Sequence, residues 1–350
     1  MPPSPPAGAF HVKPLVSLEG VSKRFGSSPS LAARLAGLLG ERRPPSAVQA
    51  VTEVDLAIAA GEVVGLVGES GCGKSTLARL AAGLHAPSRG RVLRDGRDLA
   101  GSSAAERRAA ALSVQMIFQD ATASLNPRLR VLDIVGEAPV AHGLVAARDK
   151  RAYVADQLAR VSLGADAMAR YPHQFSGGQR ARIGIARALA VKPRMLVCDE
   201  SVAALDVSIQ AQVLNLFLEL RRDLGLTYLF VSHDLGVIAH VASRVAVMYL
   251  GRLVEVAPAE TLFCAPAHPY TISLLAQTPK LVPGKRRFQA LPGEPPSPLA
   301  PPPGCPFHPR CPAAIAVCRT ELPLRRSVGP EHEVACHRDR GELGTGDRTA

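Results

Sequence analysis

No tryptophan occurs in the 350 residues, and Phe, Tyr and Trp together make up only 4%. So thin an aromatic supply argues against a platform that stacks the bases of single-stranded nucleic acid, and no nucleic-acid partner is expected. The chain also lacks any uninterrupted apolar run of about 18 residues, the length a membrane span requires, so work at a membrane would need spans from other chains. Its opening, MPPSPPAGAF, has no basic region leading into an apolar stretch, and no secretory signal peptide is expected. Without such a leader, seven cysteines do not suggest a disulfide framework. Acidic residues are in deficit, 30 Asp and Glu against 41 Lys and Arg, for a net charge of +11. That surplus suits nucleic acid, an anionic membrane surface or a polyphosphate ligand, and an Arg-biased coding composition accounts for it equally well.

Hydrophobic residues form 47% of the chain, enough for a substantial core, and the length suits two domains or one with an appendage. Residues 1–14 read as a Pro-rich tail. β-like stretches follow at Leu15–Leu18 and at 48–58, where Val54, Leu56 and Ile58 alternate. Between them, Leu31, Leu35, Leu38 and Leu39 fall at helical spacing inside an insertion at 27–47 that also carries Arg34, Arg42 and Arg43. A packed surface insertion is the favoured reading, with an amphipathic membrane-facing helix as the alternative. From Glu62 the rhythm becomes strand, Gly-rich turn, helix. Short apolar strands are expected at Met195–Cys198, Tyr228–Val231 and Val245–Tyr249, with a helix over Ile209–Leu220. Continuous apolar strands between helices indicate a buried parallel sheet. After Pro258 the composition turns to Pro, Cys and His, which marks a C-terminal extension over 259–340 and a polar tail at 341–350.

Chemistry concentrates first at residues 68–76: Gly68, Glu69, Ser70, Gly71, Cys72, Gly73, Lys74, Ser75 and Thr76. The glycines let successive N–H groups turn toward a phosphate chain, Lys74 can reach its β- and γ-phosphates, and Ser75 can ligate Mg²⁺. Position after the apolar run at 63–67 and before a helix is what such a loop requires. Downstream, Asp199 and Glu200 end the apolar strand at 195–198. Asp199 is expected to hold Mg²⁺ and Glu200 to polarise an attacking water. A third element, Phe175 followed by Ser176, Gly177, Gly178 and Gln179, offers an N-cap serine and exposed donors at a helix start, hence a second anion site.

With that third element the chain resembles the nucleotide-binding subunits of ABC transporters, in which the Ser-Gly-Gly-Gln signature of one subunit closes on the γ-phosphate held by another. The resemblance implies an ATPase that uses ATP and Mg²⁺. By position, Gln119 resembles the glutamine that senses Mg²⁺ and water, His233 the switch histidine, and Asp206 the aspartate linking the two sites of a dimer. Phe25 is the aromatic expected to stack on adenine. Departures are small: Ser201 stands where proline is frequent, Ala203 where serine is, and Ala181 where a second glutamine is. The implied fold is α/β: a parallel-sheet P-loop core, an antiparallel subdomain and a helical subdomain around 120–190, all within 15–258, followed by a Cys-rich extension.

The stretches Phe118–Pro127, Ala204–Gln212, His268–Thr271 and Pro303–Pro312 are similar to those of dipeptide/oligopeptide importer ATPases, over about residues 12 to 337. That likeness implies an importer of peptides, or of nickel, at the cytoplasmic face of the membrane. Two permeases, a second related ATPase (or a second copy of this chain) and an extracytoplasmic binding protein would complete it. The rival reading is a soluble ABC ATPase acting on DNA or ribosomes. Cys305, Cys311, Cys318 and Cys336 could hold a [4Fe–4S] cluster, favoured by the resemblance, or Zn²⁺, for which His308, His332 and His337 are further ligands; four free thiols are the plain alternative.

Overall fold

The computed structural model describes residues 13–26, 47–277 and 293–343. The first twelve residues of the Pro-rich tail, residues 27–46 of the insertion and the C-terminal tail from 344 onward lie outside them. Strand β1 (Val16–Phe25) pairs antiparallel with β2 (Val48–Ile58). Strand β3 (Val63–Val67) leaves for the main sheet and is followed by helix α1 (Lys74–Ala82). The chain returns with β4 (Arg89–Arg94) and β5 (Arg97–Asp98), completing a four-stranded sheet of order β2-β1-β4-β5. β1 runs seven residues beyond the apolar stretch expected at 15–18. Its second half, from Glu19 to Arg24, is mostly polar and passes through shifts of register near Gly20, where φ is 55°, so no clean alternation marks it.

The main sheet is assembled from strands separated by helices. After α2 (Ala104–Ser113) come β6 (Val114–Ile117) and four helices: α3 (Ala121–Ser124), α4 (Val131–Ala141), α5 (Lys150–Arg160) and α6 (Gly177–Leu189). The chain re-enters the sheet with β7 (Met195–Asp199), α7 (Val207–Leu224), β8 (Thr227–Val231), α8 (Leu235–Val241) and β9 (Arg244–Tyr249). Strands β9, β3, β8, β7 and β6 are mutually parallel. β3, β7 and β8 are buried at every residue, the reason their sequences read as unbroken apolar runs. Alternation still sorts them: Val63 and Val67 face the core beneath the helices at 121–224, whereas Val64 and Leu66 face α1 and the antiparallel sheet.

The chain after Pro258 does not stand apart from this sheet. Strand β10 (Arg252–Pro258) runs antiparallel to β9 and leads into α9 (Ala259–Cys264) and α10 (Pro269–Ala276). The final strands, β11 (Arg326–Gly329) and β12 (His332–Val334), extend the sheet from β10, giving the order β11-β12-β10-β9-β3-β8-β7-β6. One buried acid fastens this seam. The Glu255 side chain is fully enclosed, accepts from the N–H groups of Ala267 (2.7 Å) and His268 (3.0 Å), and faces His332 Nε2 at 2.8 Å. A carboxylate without water needs such partners.

Candidate nucleotide-binding site

The loop between β3 and α1 is shaped by backbone positions that only glycine fills. Gly68 has φ 149°, and a Cβ there would lie 2.2 Å from the Met248 carbonyl oxygen; Gly73 has φ 107°, and a Cβ would lie 2.1 Å from that of Ala50. Gly73 also caps α1 with no side-chain hydrogen bond, which leaves donors at this helix N-terminus open to an anion. The Lys74 side chain is buried, and its ammonium donates to the carbonyl oxygens of Gly68 and Glu69, both at 2.8 Å.

Strand β7 delivers its two acids beside that loop. Ser75 Oγ lies 2.9 Å from Asp199 Oδ1, so the two groups assigned to Mg²⁺ are already neighbours. Burial raises the Asp199 pKa, opposed by the Ser75 hydrogen bond and Arg79; a cation would favour the ionised form. Glu200 has φ 47°, an uncommon conformation for a residue with a Cβ, and its N–H donates to the Val231 carbonyl at 3.0 Å. Its carboxylate is gripped from two sides. Gln119 Nε2 donates to Oε2 at 2.7 Å, and His233 Nδ1 lies 3.3 Å from Oε1. Three residues singled out at 119, 200 and 233 thus meet at one carboxylate.

Beside the loop lies an open cleft lined by Phe25, Val48 and Ala50 together with Lys74, Gln119 and Glu200. Phe25 is 41% exposed, with His85 edge-on at 5.7 Å and Lys23 Nζ 5.3 Å from its ring centre. Its exposed part is aromatic surface on which a planar ring could pack. Sequence reasoning missed Pro298, which also lines the cleft and whose carbonyl oxygen accepts from Gln49 N–H at 3.4 Å. No local pattern around a proline-rich stretch signals such a contact.

Ser176 to Gln179 and Asp206 do not line this cleft. They begin helices elsewhere, α6 and α7. Ser176 caps α6 by a reciprocal box: its Oγ accepts from Gln179 N–H at 3.3 Å, and Gln179 Oε1 accepts from Ser176 N–H at 3.1 Å. The two glycines differ in purpose. A Cβ on Gly178 would lie 2.4 Å from Ile209 Cγ2 of α7, whereas one on Gly177 would meet nothing closer than 3.7 Å. Gly178 lets two helices pack; Gly177 is the one open to an approaching group. Asp206 precedes α7 without a side-chain capping bond.

Cys305, Cys311, Cys318 and Cys336 are free thiols, two buried and two half-buried. They converge: each of Cys305, Cys311 and Cys336 has a thiol pKa raised first by burial and further by neighbouring cysteines, to about 12 at Cys305 and about 11 at Cys311. Among the described residues, however, no three His, Cys, Asp or Glu side chains are drawn into a metal-holding array. The donor set fits a cluster in chemistry but not in present arrangement. Cys72, Cys198 and Cys264 lie elsewhere.

Known proteins resemble this chain in sequence and in fold. Residues 51–203 match the ABC transporter family, and residues 254–318 match the family described as oligopeptide/dipeptide transporter, C-terminal region. A probable peptide ABC transporter ATP-binding protein of Sinorhizobium fredii is 48% identical over 83% of this chain and 82% of its own length. The oligopeptide transport ATP-binding protein AppF of Bacillus subtilis is 47% identical over 83% and 89%. A putative peptide import ATP-binding protein of Brucella ovis is 44% identical over 93% and 98%. Among solved structures, the ATP-binding cassette MJ0796, a dimer bound to ADP and Pi, superposes with a TM-score of 0.58 at 27% identity, covering 70% of this chain and 98% of that one. A protein of Clostridium perfringens, cbiO1, part of the ABC transporter complex cbiONQ, gives 0.59 at 24%, covering 72% and 92%.

Proposed function

Since the chain belongs to the ATP-binding proteins of peptide ABC transporters, we propose that it is the subunit that hydrolyses Mg·ATP to drive import of di- or oligopeptides, or of a related solute such as nickel. The observation that carries the reading is the meeting of Gln119, Glu200 and His233 at the mouth of a phosphate-binding loop. Glu200 orients and polarises the attacking water, with Gln119 and His233 fixing its carboxylate. Lys74 and the α1 N-terminus hold the phosphates. Mg²⁺ held by Ser75, Asp199 and Gln119 would supply charge neutralisation at the phosphates. Phe25 stacks on the base.

In one copy Ser176–Gln179 do not line the cleft over the phosphate loop, so a single chain leaves the γ-phosphate half-enclosed. Two ATPase subunits, this one with a related partner or with itself, would sandwich two nucleotides through Ser176–Gln179 and Asp206. Closure then moves two permeases, to which an extracytoplasmic binding protein delivers solute. Among the described residues no helix is long and apolar enough to cross a membrane, and attachment to the permeases would hold the subunit at the cytoplasmic face. The match of the C-terminal region to oligopeptide/dipeptide transporters favours this over a soluble ATPase acting on DNA or ribosomes. At the four cysteines the family resemblance, not their present arrangement, favours a [4Fe–4S] cluster over Zn²⁺, and binding would need a rearrangement that draws the thiols inward; iron, zinc and sulfide analysis of anaerobically purified protein tests it.

The decisive assay is ATP hydrolysis by the assembled transporter. Glu200→Gln should retain Mg·ATP binding and lose about a hundredfold or more in turnover. Near-normal turnover would remove Glu200 from the mechanism. Co-purification of two permeases from native membranes supports transport, and recovery of ribosomes or repair proteins would overturn it.

A further inference from the structure

Glu69 is the one acidic residue of the phosphate-binding loop, and its carboxylate brings a negative charge to a segment that has to receive an anion. The fold answers this with a residue 241 positions later. Arg310 donates to both oxygens of that carboxylate, Nη1 to Oε2 at 2.7 Å and Nη2 to Oε1 at 2.9 Å. The arginine side chain is 5% exposed, so the pair is largely shielded from water, where a forked, charge-assisted contact is strong. The rest of Glu69 is held too. Its N–H donates to Tyr270 Oη at 2.8 Å, and its carbonyl oxygen accepts from Lys74 Nζ at 2.8 Å.

The holders are themselves rigid. Tyr270, Tyr249 and Phe307 are fully buried, with ring centres 4.7, 5.2 and 5.4 Å apart in pairs. Arg310 N–H donates to the Phe307 carbonyl at 3.0 Å, and Nη1 reaches Tyr249 Oη at 3.5 Å. A loop containing glycines at positive φ at 68, 71 and 73 has much conformational freedom to lose on binding. Fixing Glu69 removes part of that freedom beforehand.

We propose that Arg310 and Tyr270 are positioning residues of the nucleotide site: through Glu69, the C-terminal region fixes the phosphate-binding loop and cancels its one negative charge, so that a nucleoside polyphosphate can enter. The inference rests on the ATP-binding reading of the cleft. A staple that merely attached the extension to the core would affect stability alone. A positioning role affects affinity in the folded protein, with a specific pattern of rescue.

Mg·ATP binding to the purified full-length chain is measured by calorimetry, with thermal unfolding recorded for each variant. Arg310→Met should weaken binding about tenfold, because it leaves the carboxylate of a phosphate-loop residue uncompensated and that residue unfixed. Arg310→Lys, which keeps the charge, should retain most of the affinity. Adding Glu69→Gln to Arg310→Met should recover affinity by removing the repelling charge. Wild-type affinity in Arg310→Met, or weaker binding in the double variant than in the single, would overturn the proposal. Should Arg310→Met fail to fold, Tyr270→Phe decides, since it removes one hydroxyl and keeps the packed ring: several-fold weaker binding supports the role, and unchanged binding refutes it. Lys74→Ala separates the two readings. If wild type does not bind Mg·ATP, or Lys74→Ala binds equally well, the nucleotide site itself is misassigned.

Discussion

Two helix N-termini in this molecule, those of α1 and α6, face the same physical problem and finish it in opposite ways. At α1 the cap is Gly73, which contributes no side chain, so the first N–H groups stay available and a buried lysine stands beside them. At α6 the cap is Ser176, and the reciprocal bonds with Gln179 already occupy two donors. The first end is ready for a strongly charged ligand in a single chain. The second is complete without one and keeps only part of its capacity, around Gly177, for a group brought by another molecule. The proposed two-chain assembly would use that asymmetry: each copy would load nucleotide at one end and complete its neighbour's site with the other.

The sharpest way to break this comparison is to measure Mg·ATP binding to the isolated chain. Lys74→Ala should lower affinity about a hundredfold, whereas Ser176→Ala should leave it unchanged because Ser176 does not line the cleft. Equal losses would show that both ends act in one chain. Next in size is the glycine pair. Gly178→Ala forces a Cβ into Ile209 and should cost about 2 kcal/mol in chemical denaturation. Gly177→Ala, with open space, should be neutral or stabilising by up to about 1 kcal/mol, as alanine favours helix. Yet in the assembled transporter Gly177→Ala should be the more harmful to hydrolysis, since in the proposed two-chain site Gly177 would meet the partner's nucleotide. The smallest effect is expected from the cap itself: Ser176→Ala should reduce unfolding stability by about 1 kcal/mol. No measurable change would mean that the box is not formed in solution.

Much of this site could be read from the chain because its chemistry is local. Residues 68–76 carry their own turn, and the acids at 199 and 200 stand at the end of a strand whose every residue is buried. The convergence of Gln119 and His233 on Glu200 required knowing that β6, β7 and β8 lie side by side and in parallel, which spacing alone does not give. Arg310 was invisible for a stronger reason: a forked ion pair across 241 residues leaves no periodicity at either end. Within the fold, the parallel strands announced themselves by unbroken apolarity. β11 and β12 did not, since strands of four and three residues rich in polar side chains look like loop.

The pairing of β12 with β10 bears on how the protein can be handled and how it stays dispersed. β10 is an apolar strand buried along most of its length. Cut away the residues after Pro258, and its outward N–H and C=O groups become a bare template for another chain, beside a carboxylate at Glu255 that has lost its neighbours. The native terminus of the sheet is β11, short and half-exposed, with Arg326 at its start. A four-residue border of that kind offers little edge for another chain to pair with. The later strands therefore cover the β10 edge, and a fragment ending near 258 should precipitate where the whole chain remains in solution.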